Sequence, residues 1–229
     1  MEVTTATAAT MKARERLEAL AQVSPMPIAE KMFNPFLYVR SSVLVKALVM
    51  DDLYRRIVNV PGALIEFGVW RGQNMVLLEN LRAIHEPFNK GRNIVGFDTF
   101  DGYADGSYRA GPEYALHLMS LLDTHEGCNA FGHLMGHHRL IHGDVTETAP
   151  EFFKDFDGLV ALACFDMGPE EPTKAALQAI WPHLYPGSVL LLDELAGGTL
   201  KAFRGMQHTS DYRIVKCALY PSKTIVTIQ

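Results

Sequence analysis

The sequence predicts an α/β fold: a mostly parallel, seven-stranded sheet covered by helices on both faces, with an antiparallel hairpin at its end. Three observations carry this expectation. Short apolar runs alternate with helix-like segments from Pro61 onward. The last two apolar runs are joined by Pro221-Ser222, a hairpin signal. Acids stand at the ends of four runs, as they would along one edge of a parallel sheet.

Taken in order, residues 1–60 read as a helical segment ahead of a domain over 61–229. "TMKARERLEALAQ" has the pattern of a surface helix, and "SSVLVKALVMDDLYRRIVNV" repeats apolar residues at helical spacing until Pro61-Gly62 stops it. "ALIEFG" is the first strand and "NMVLLENLRAIH" its helix. "NIVGFD" is the second strand, followed by the polar stretch "TFDGYADGSYRAGPEY" and a further helix. "HRLIHGD" is the third, with a short helix near "TAPEFFKDF". "LVALACFD" is the fourth, with the helix "PTKAALQAIWPHL", and "GSVLLLDEL" is the fifth. "DYRIVKCALY" and "KTIVTIQ" close the chain.

Composition narrows the function classes. The 229 residues are 48% hydrophobic and 21% charged, with a net charge of −5 and no long basic run, so a nucleic-acid partner is not expected. No window reaches the roughly 18 continuous apolar residues of a membrane span. The first twenty residues lack a basic segment followed by an apolar one, so no signal peptide is expected. Cys128, Cys164 and Cys217 are odd in number and far apart, which argues against a disulfide framework. A reducing cytoplasm is the expected setting. The apolar helices before Pro61 point to self-association as a homodimer or larger homo-oligomer.

The acids direct the functional reading. Glu66, Asp98, Asp166 and the pair Asp193-Glu194 fall at or near the carboxyl ends of strands one, two, four and five. Open α/β sheets bind ligands outside that edge. Carboxylates gathered there repel one another unless a cation or hydrogen-bond donors compensate. "EFGVWRGQN" forms a turn with Glu66, Gly68 and Gly72 in the order E-x-G-x-x-x-G. A pyrophosphate suits a G-x-G-x-x-G loop better; an acid ahead of the glycines suits a cationic ligand. Asp98 stands where nucleotide-binding sheets keep the acid that holds ribose hydroxyls. Asp144 is placed to meet an adenine amino group with Val145 against the ring, or to cap the helix that follows.

These segments resemble the class I S-adenosylmethionine-dependent methyltransferases, and within them the macrocin O-methyltransferase-like enzymes that methylate sugar hydroxyls of natural products. "GALIEFGVWRGQNM", "EPFNKGRNIVGFDTFDGY", "GDVTETAPEF", "FDMGPEEPTKAAL" and "PGSVLLLDEL" carry the resemblance, from about Pro61 to Leu195. It implies a Rossmann-like methyltransferase sheet with an N-terminal helical lid, to which "NPFLYVR" at Asn34 to Arg40 would belong. It implies S-adenosylmethionine as cofactor, with Glu66, Gly68, Trp70 and Gly72 at its methionine end and Asp98, Thr99 and Phe100 at the ribose. It also implies a magnesium ion held by Asp166, Asp193 and Glu194, the last a longer carboxylate but still a hard oxygen ligand. The family pattern near F-D-x-D-L-Y-E-P-T-K is met by Phe165, Asp166, Glu171, Pro172, Thr173 and Lys174, but its second Asp, the general base of related enzymes, is Gly168 here. Glu170 is the nearest substitute, so Asp166 and Glu170 are the catalytic candidates.

The expected activity is O-methylation of a hydroxylated small molecule, such as a deoxysugar or a natural-product intermediate, by a natural-product enzyme. The alternatives are methylation of an amine or phenol with an altered base, or a non-catalytic protein that only binds an adenosyl ligand. His133 and His137 are four residues apart, a spacing that on a helix would put both on one face as in some zinc sites, with a substrate-facing or base role for one histidine, or a surface or packing role, as the other readings. Arg71 and Arg109 could meet an anionic substrate group or be solvated surface charge.

Overall fold

A computed structural model describes residues 7–89, 91–103, 106–129, 136–194, 197–206 and 210–229. Contacts divide the chain into two compact units, Met1–Leu48 and Val49–Gln229. In the first, helix α1 spans Ala8–Gln22 and buries none of its residues. Thr7 caps it by accepting from the Thr10 amide at 3.2 Å. Helix α2 (Ile28–Phe33) and a 3-10 turn (Pro35–Leu37) follow. Helix α3, Ser41–Ile57, begins here; its buried residues Val49, Met50, Leu53, Tyr54 and Ile57 belong to the second unit.

That unit is the sheet. The strands are β1 (Ala63–Phe67), β2 (Ile94–Asp98), β3 (His138–His142), β4 (Val160–Phe165), β5 (Leu184–Asp193), β6 (Tyr212–Lys216) and β7 (Lys223–Ile228), in the spatial order β3-β2-β1-β4-β5-β7-β6. The first five run parallel, and β7 pairs antiparallel with both β5 and β6. This matches the predicted seven strands and closing hairpin. Strands β1 and β4 are buried along their whole length, as their sequences, apolar except for Glu66, require when helices cover both faces. The helices are α4 (Gln73–His85), α5 (Pro112–Asn129), α6 (Val145–Lys154), α7 (Glu170–Ile180) and α8 (Thr199–Arg204). Phe67 stacks between Phe97 and Phe165 at 5.0 Å on each side, joining the three central strands in one aromatic layer.

The string "EPFNKGRN" turns out to be scaffold. The Arg92 side chain is buried, and its guanidinium donates to Glu86 at 2.8 and 2.9 Å. It also donates to the carbonyls of Ile57, Val60 and Gly62. Tyr54 donates to the same glutamate at 2.7 Å. The end of α3, the entry to β1 and the entry to β2 are thus tied to one cation. Burial first, then the bond to Glu86, pushes the Tyr54 phenol well above its ordinary range, so it stays a donor.

Candidate active site

The sheet order reverses at β1, whose neighbours are β2 and β4, and this switch point is where open α/β sheets leave a crevice at their carboxyl edge. The loop from β1 to α4 shapes that crevice. Gly68 has φ +89°, and a Cβ on it would come within 2.5 Å of the Asp166 carbonyl oxygen, so only glycine fits between β1 and β4. Gly72, with φ +71°, is the residue before α4. A Cβ there would meet the Leu118 side chain of α5, so the missing side chain lets the turn pack closely on that helix.

Glu66 is buried at the end of β1 and accepts from the Asn74 side-chain amide at 2.6 Å. The other atom of that amide, Asn74 Oδ1, is buried with no hydrogen-bond partner among the described residues. A buried acceptor next to a carboxylate suits a cationic donor such as an ammonium group. Asp98 accepts from the Trp70 amide at 2.6 Å through one oxygen and from the Phe100 amide at 2.6 Å through the other. It therefore staples the β1–α4 loop to the loop after β2. Trp70 and Phe100 both hold positive φ, +48° and +58°, and Tyr108 holds +59°. Such backbone strain in non-glycine residues gathers at functional sites. Trp70 packs edge-on to Tyr108 at 5.5 Å, and Tyr103 to Tyr108 at 5.6 Å, forming an aromatic rim. Arg71 lies over the rings of Trp70 and Tyr114.

Asp144 caps α6, accepting from the Thr146 amide and hydroxyl, each at 2.8 Å. These bonds hold its carboxyl below the usual carboxylate range. Val145 beside it is buried. Thr99 offers its carbonyl to His142 Nε2 at 2.9 Å, across to the end of β3.

Asp166 follows β4, and its amide donates to the Phe67 carbonyl at 2.8 Å. The Tyr103 phenol donates to the Met167 carbonyl. Burial first, then the charges of Asp166, Asp193 and Asp98 along with Tyr108, push this phenol up. One group thus feels the acids ending β2, β4 and β5 together. Glu170, in the first turn of α7, is paired with Lys201 of α8.

The magnesium expectation does not fit these residues. Lys223 Nζ lies 2.8 Å from Asp193 and 3.8 Å from Asp166. Among the described residues, the carboxylates of Asp166, Asp193 and Glu194 do not gather within 4.8 Å of one another. Glu194 Oε1 is buried without a hydrogen bond, and burial, then the charge of Asp193, pushes its carboxyl up. The described group that does gather, Asp123, Glu126 and His138, lies at the start of β3, the opposite edge of the sheet. There Glu126 is paired with His137 and has Arg82 at 3.9 Å. The histidine pair read as a possible zinc site is not seen as such: His137 stands just ahead of β3 rather than in a helix, and His133 lies outside the described residues.

Sequence reasoning missed Asn74, Tyr103 and Lys223. Asn74 was within reach, two residues past the second glycine of the turn. Lys223 had one signal, a charged residue opening an otherwise apolar terminal strand.

Comparison with known proteins agrees with this geometry. A family model described as a methyltransferase domain matches residues 65–195. The crystal structure of CalS11, a calicheamicin methyltransferase, is 33% identical, with a TM-score of 0.90 over 98% of this chain and 94% of that one. Its apo structure, described as a TDP-rhamnose 3'-O-methyltransferase of calicheamicin biosynthesis, is 34% identical, with a TM-score of 0.86 over 98% and 96%. The 8-demethyl-8-(2,3-dimethoxy-alpha-L-rhamnosyl)-tetracenomycin-C 4'-O-methyltransferase of Streptomyces olivaceus is 28% identical over 164 residues. That match takes in 68% of this chain but only 59% of the relative's length. With a family match over more than half of the chain and a relative one-third identical over nearly all of it, the chain belongs to the class I S-adenosylmethionine-dependent methyltransferases.

Proposed function

We propose that the chain transfers a methyl group from S-adenosylmethionine to a hydroxyl of a deoxysugar, free or carried on a nucleotide or natural product. The observation that carries this reading is the set of acids Glu66, Asp98 and Asp166 at the carboxyl ends of the adjoining parallel strands β1, β2 and β4, on the switch-point edge of the sheet. Hydroxyl-rich ligands suit such an edge, because carboxylates accept their hydrogen bonds. The likeness to a TDP-rhamnose methyltransferase supports the sugar class.

When bound, the donor supplies a methyl on a positively charged sulfur, an electrophile that needs no further activation. The chain aligns the partners and takes one proton. Glu66 and Asn74 receive the donor's ammonium end, beside the turn held by Gly68, Trp70 and Gly72. Asp98, with Thr99 and Phe100, receives the ribose, and Asp144 and Val145 receive the adenine. Asp166, with its side chain 35% exposed, accepts the proton of the substrate hydroxyl. Glu170, tied to Lys201, positions the start of α7. The absence of disulfides among Cys128, Cys164 and Cys217 supports a reducing cytoplasm as the setting. Self-association through the exposed apolar side chains of α2 and the turn after it belongs to the same proposal.

The test is incubation with methyl-labelled S-adenosylmethionine and a panel of nucleotide-linked deoxysugars, read by mass spectrometry. Label should appear on sugar oxygen in wild-type protein. Asp98→Ala should bind S-adenosylhomocysteine at least about ten-fold more weakly, a difference of ~1.4 kcal/mol in calorimetry. A wild-type chain that neither transfers label nor binds the donor would overturn the proposal.

A further inference from the structure

Lys223 opens β7, and the antiparallel register sets it directly opposite Asp193, the last residue of β5. Residues facing each other across such a ladder point to the same side of the sheet. The turn ahead of it is fixed by the Lys223 amide donating to the Tyr220 carbonyl at 2.9 Å. Lys223 is 5% exposed, and its ammonium lies 5.3 Å from the Tyr220 ring centre. The same ammonium is 2.8 Å from Asp193 and 3.8 Å from Asp166. These are two of the three acids that a divalent ion would use. A magnesium ion needs its oxygens at roughly 2.0–2.1 Å in near-octahedral array. It cannot share this space with a buried ammonium, since a single and a double positive charge would face each other out of water. An uncharged lysine there would leave the ion's neighbours no better matched, because its nitrogen would replace a hard oxygen ligand.

From this contact we propose, resting on the methyl-transfer reading of the site, that Lys223 takes the place of the divalent ion and that methyl transfer here needs no metal. The ammonium balances Asp193 and draws in Asp166. The two carboxylates and one ammonium carry a net single negative charge between them, a match for a cationic donor. Asp166, with its side chain 35% exposed, still meets the crevice. The Oε1 atom of the third acid, Glu194, is buried and accepts no hydrogen bond among the described residues.

Manganese binding, followed by the electron paramagnetic resonance of the free ion, tests this on the full chain with S-adenosylhomocysteine present. Wild-type protein should leave the free-ion signal undiminished, and magnesium should leave its melting temperature unmoved. Lys223→Met removes the ammonium and should take up about one manganese ion per chain, as expected for carboxylates freed to act as hard ligands. Stoichiometric manganese uptake by wild-type protein, lost in Asp193→Asn, overturns the inference. So does a folded Lys223→Met that takes up none. Should that variant fail to fold, Lys223→Arg keeps a cation and should exclude manganese as wild type does; uptake by it overturns the inference. In the turnover arm, chelator-treated wild-type enzyme should stay within about two-fold of its rate in magnesium, whereas a metal that acidified the acceptor would leave a far larger loss. Calorimetric binding of S-adenosylhomocysteine on the same sample reports the methyl-transfer reading separately: its absence sinks that reading while the manganese result still decides the role of Lys223.

Discussion

The family resemblance leads one to expect a second aspartate at Gly168, and the backbone there shows why an acid cannot simply be put in. Its φ is +83°, a conformation that side-chain-bearing residues rarely adopt. Its carbonyl also presses so close to Gly198 that a Cβ there would collide with it. The segment has therefore been rebuilt around two glycines. Gly168→Asp should lower stability by about 1–2 kcal/mol, the cost of a left-handed backbone in an L-residue, and should not raise the methylation rate. Urea unfolding and initial rates on one preparation check both halves. A faster enzyme of unchanged stability would show that the base position survives in usable form. Asp166, one residue beyond β4 and fixed through its amide to Phe67, is left as the acid best held at the crevice.

At the scale of elements, α4, α5 and β3 are joined by buried ions rather than by apolar contact alone. Glu79 of α4 accepts two bonds from Arg82 at 2.9 Å and lies 3.2 Å from the His138 ring. Glu126 of α5 accepts from the Gly136 amide at 2.9 Å and pairs with His137. Burial alone would raise the Glu79 carboxyl, but the bonds from His138 and Arg82 outweigh it and hold it at about 2, against an ordinary 4.5. Glu126 is lowered as well, burial again being outweighed, here by Gly136 and His137. A carboxyl depressed in the folded state stabilises in full above its unfolded value and loses that contribution as pH falls through the folded one. The melting temperature should therefore fall steeply between pH 4.5 and about 2, as Glu79 takes up its proton. Glu79→Gln, measured at neutral pH, should cost about 3–5 kcal/mol, because it leaves Arg82 and His138 buried beside a neutral partner. Its acid-dependent loss should be smaller than that of wild type. Identical acid profiles for the two proteins would place the pH response elsewhere.

For the whole molecule, local sequence pattern and long-range register divide what could be read from what could not. Strand and helix order followed from apolar runs and their breaks, because a strand buried on both faces must be largely apolar, as β4 is throughout and β1 is apart from Glu66. Glu66, Asp98 and Asp166 could be set on one edge because parallel strands share a direction. Lys223 could not be set against Asp193, since the hairpin register depends on how the chain turns after Cys217. Nor could Leu118 be seen filling the space at Gly72, or Glu126 claiming His137; both meet only in packing. The first unit shows the reverse case, a property that sequence pattern did signal. Ile28, Met32, Phe33, Phe36 and Leu37 are 58–88% exposed over ten residues, and α1 buries nothing. Apolar side chains clustered on a surface in this way mark a protein contact more often than solvent. A second copy of the chain is the partner proposed for them. Sedimentation velocity should then give wild-type particles of at least twice the 25.5 kDa chain mass. Ile28→Glu with Phe33→Glu should return them to single chains, since a buried unpaired carboxylate in an apolar contact is costly. Both substitutions lie outside the sheet unit, so donor binding per chain should hold within about two-fold, a difference of less than ~0.5 kcal/mol. A wild-type protein that sediments at one chain mass across the micromolar range would leave this apolar cluster without the partner assigned to it.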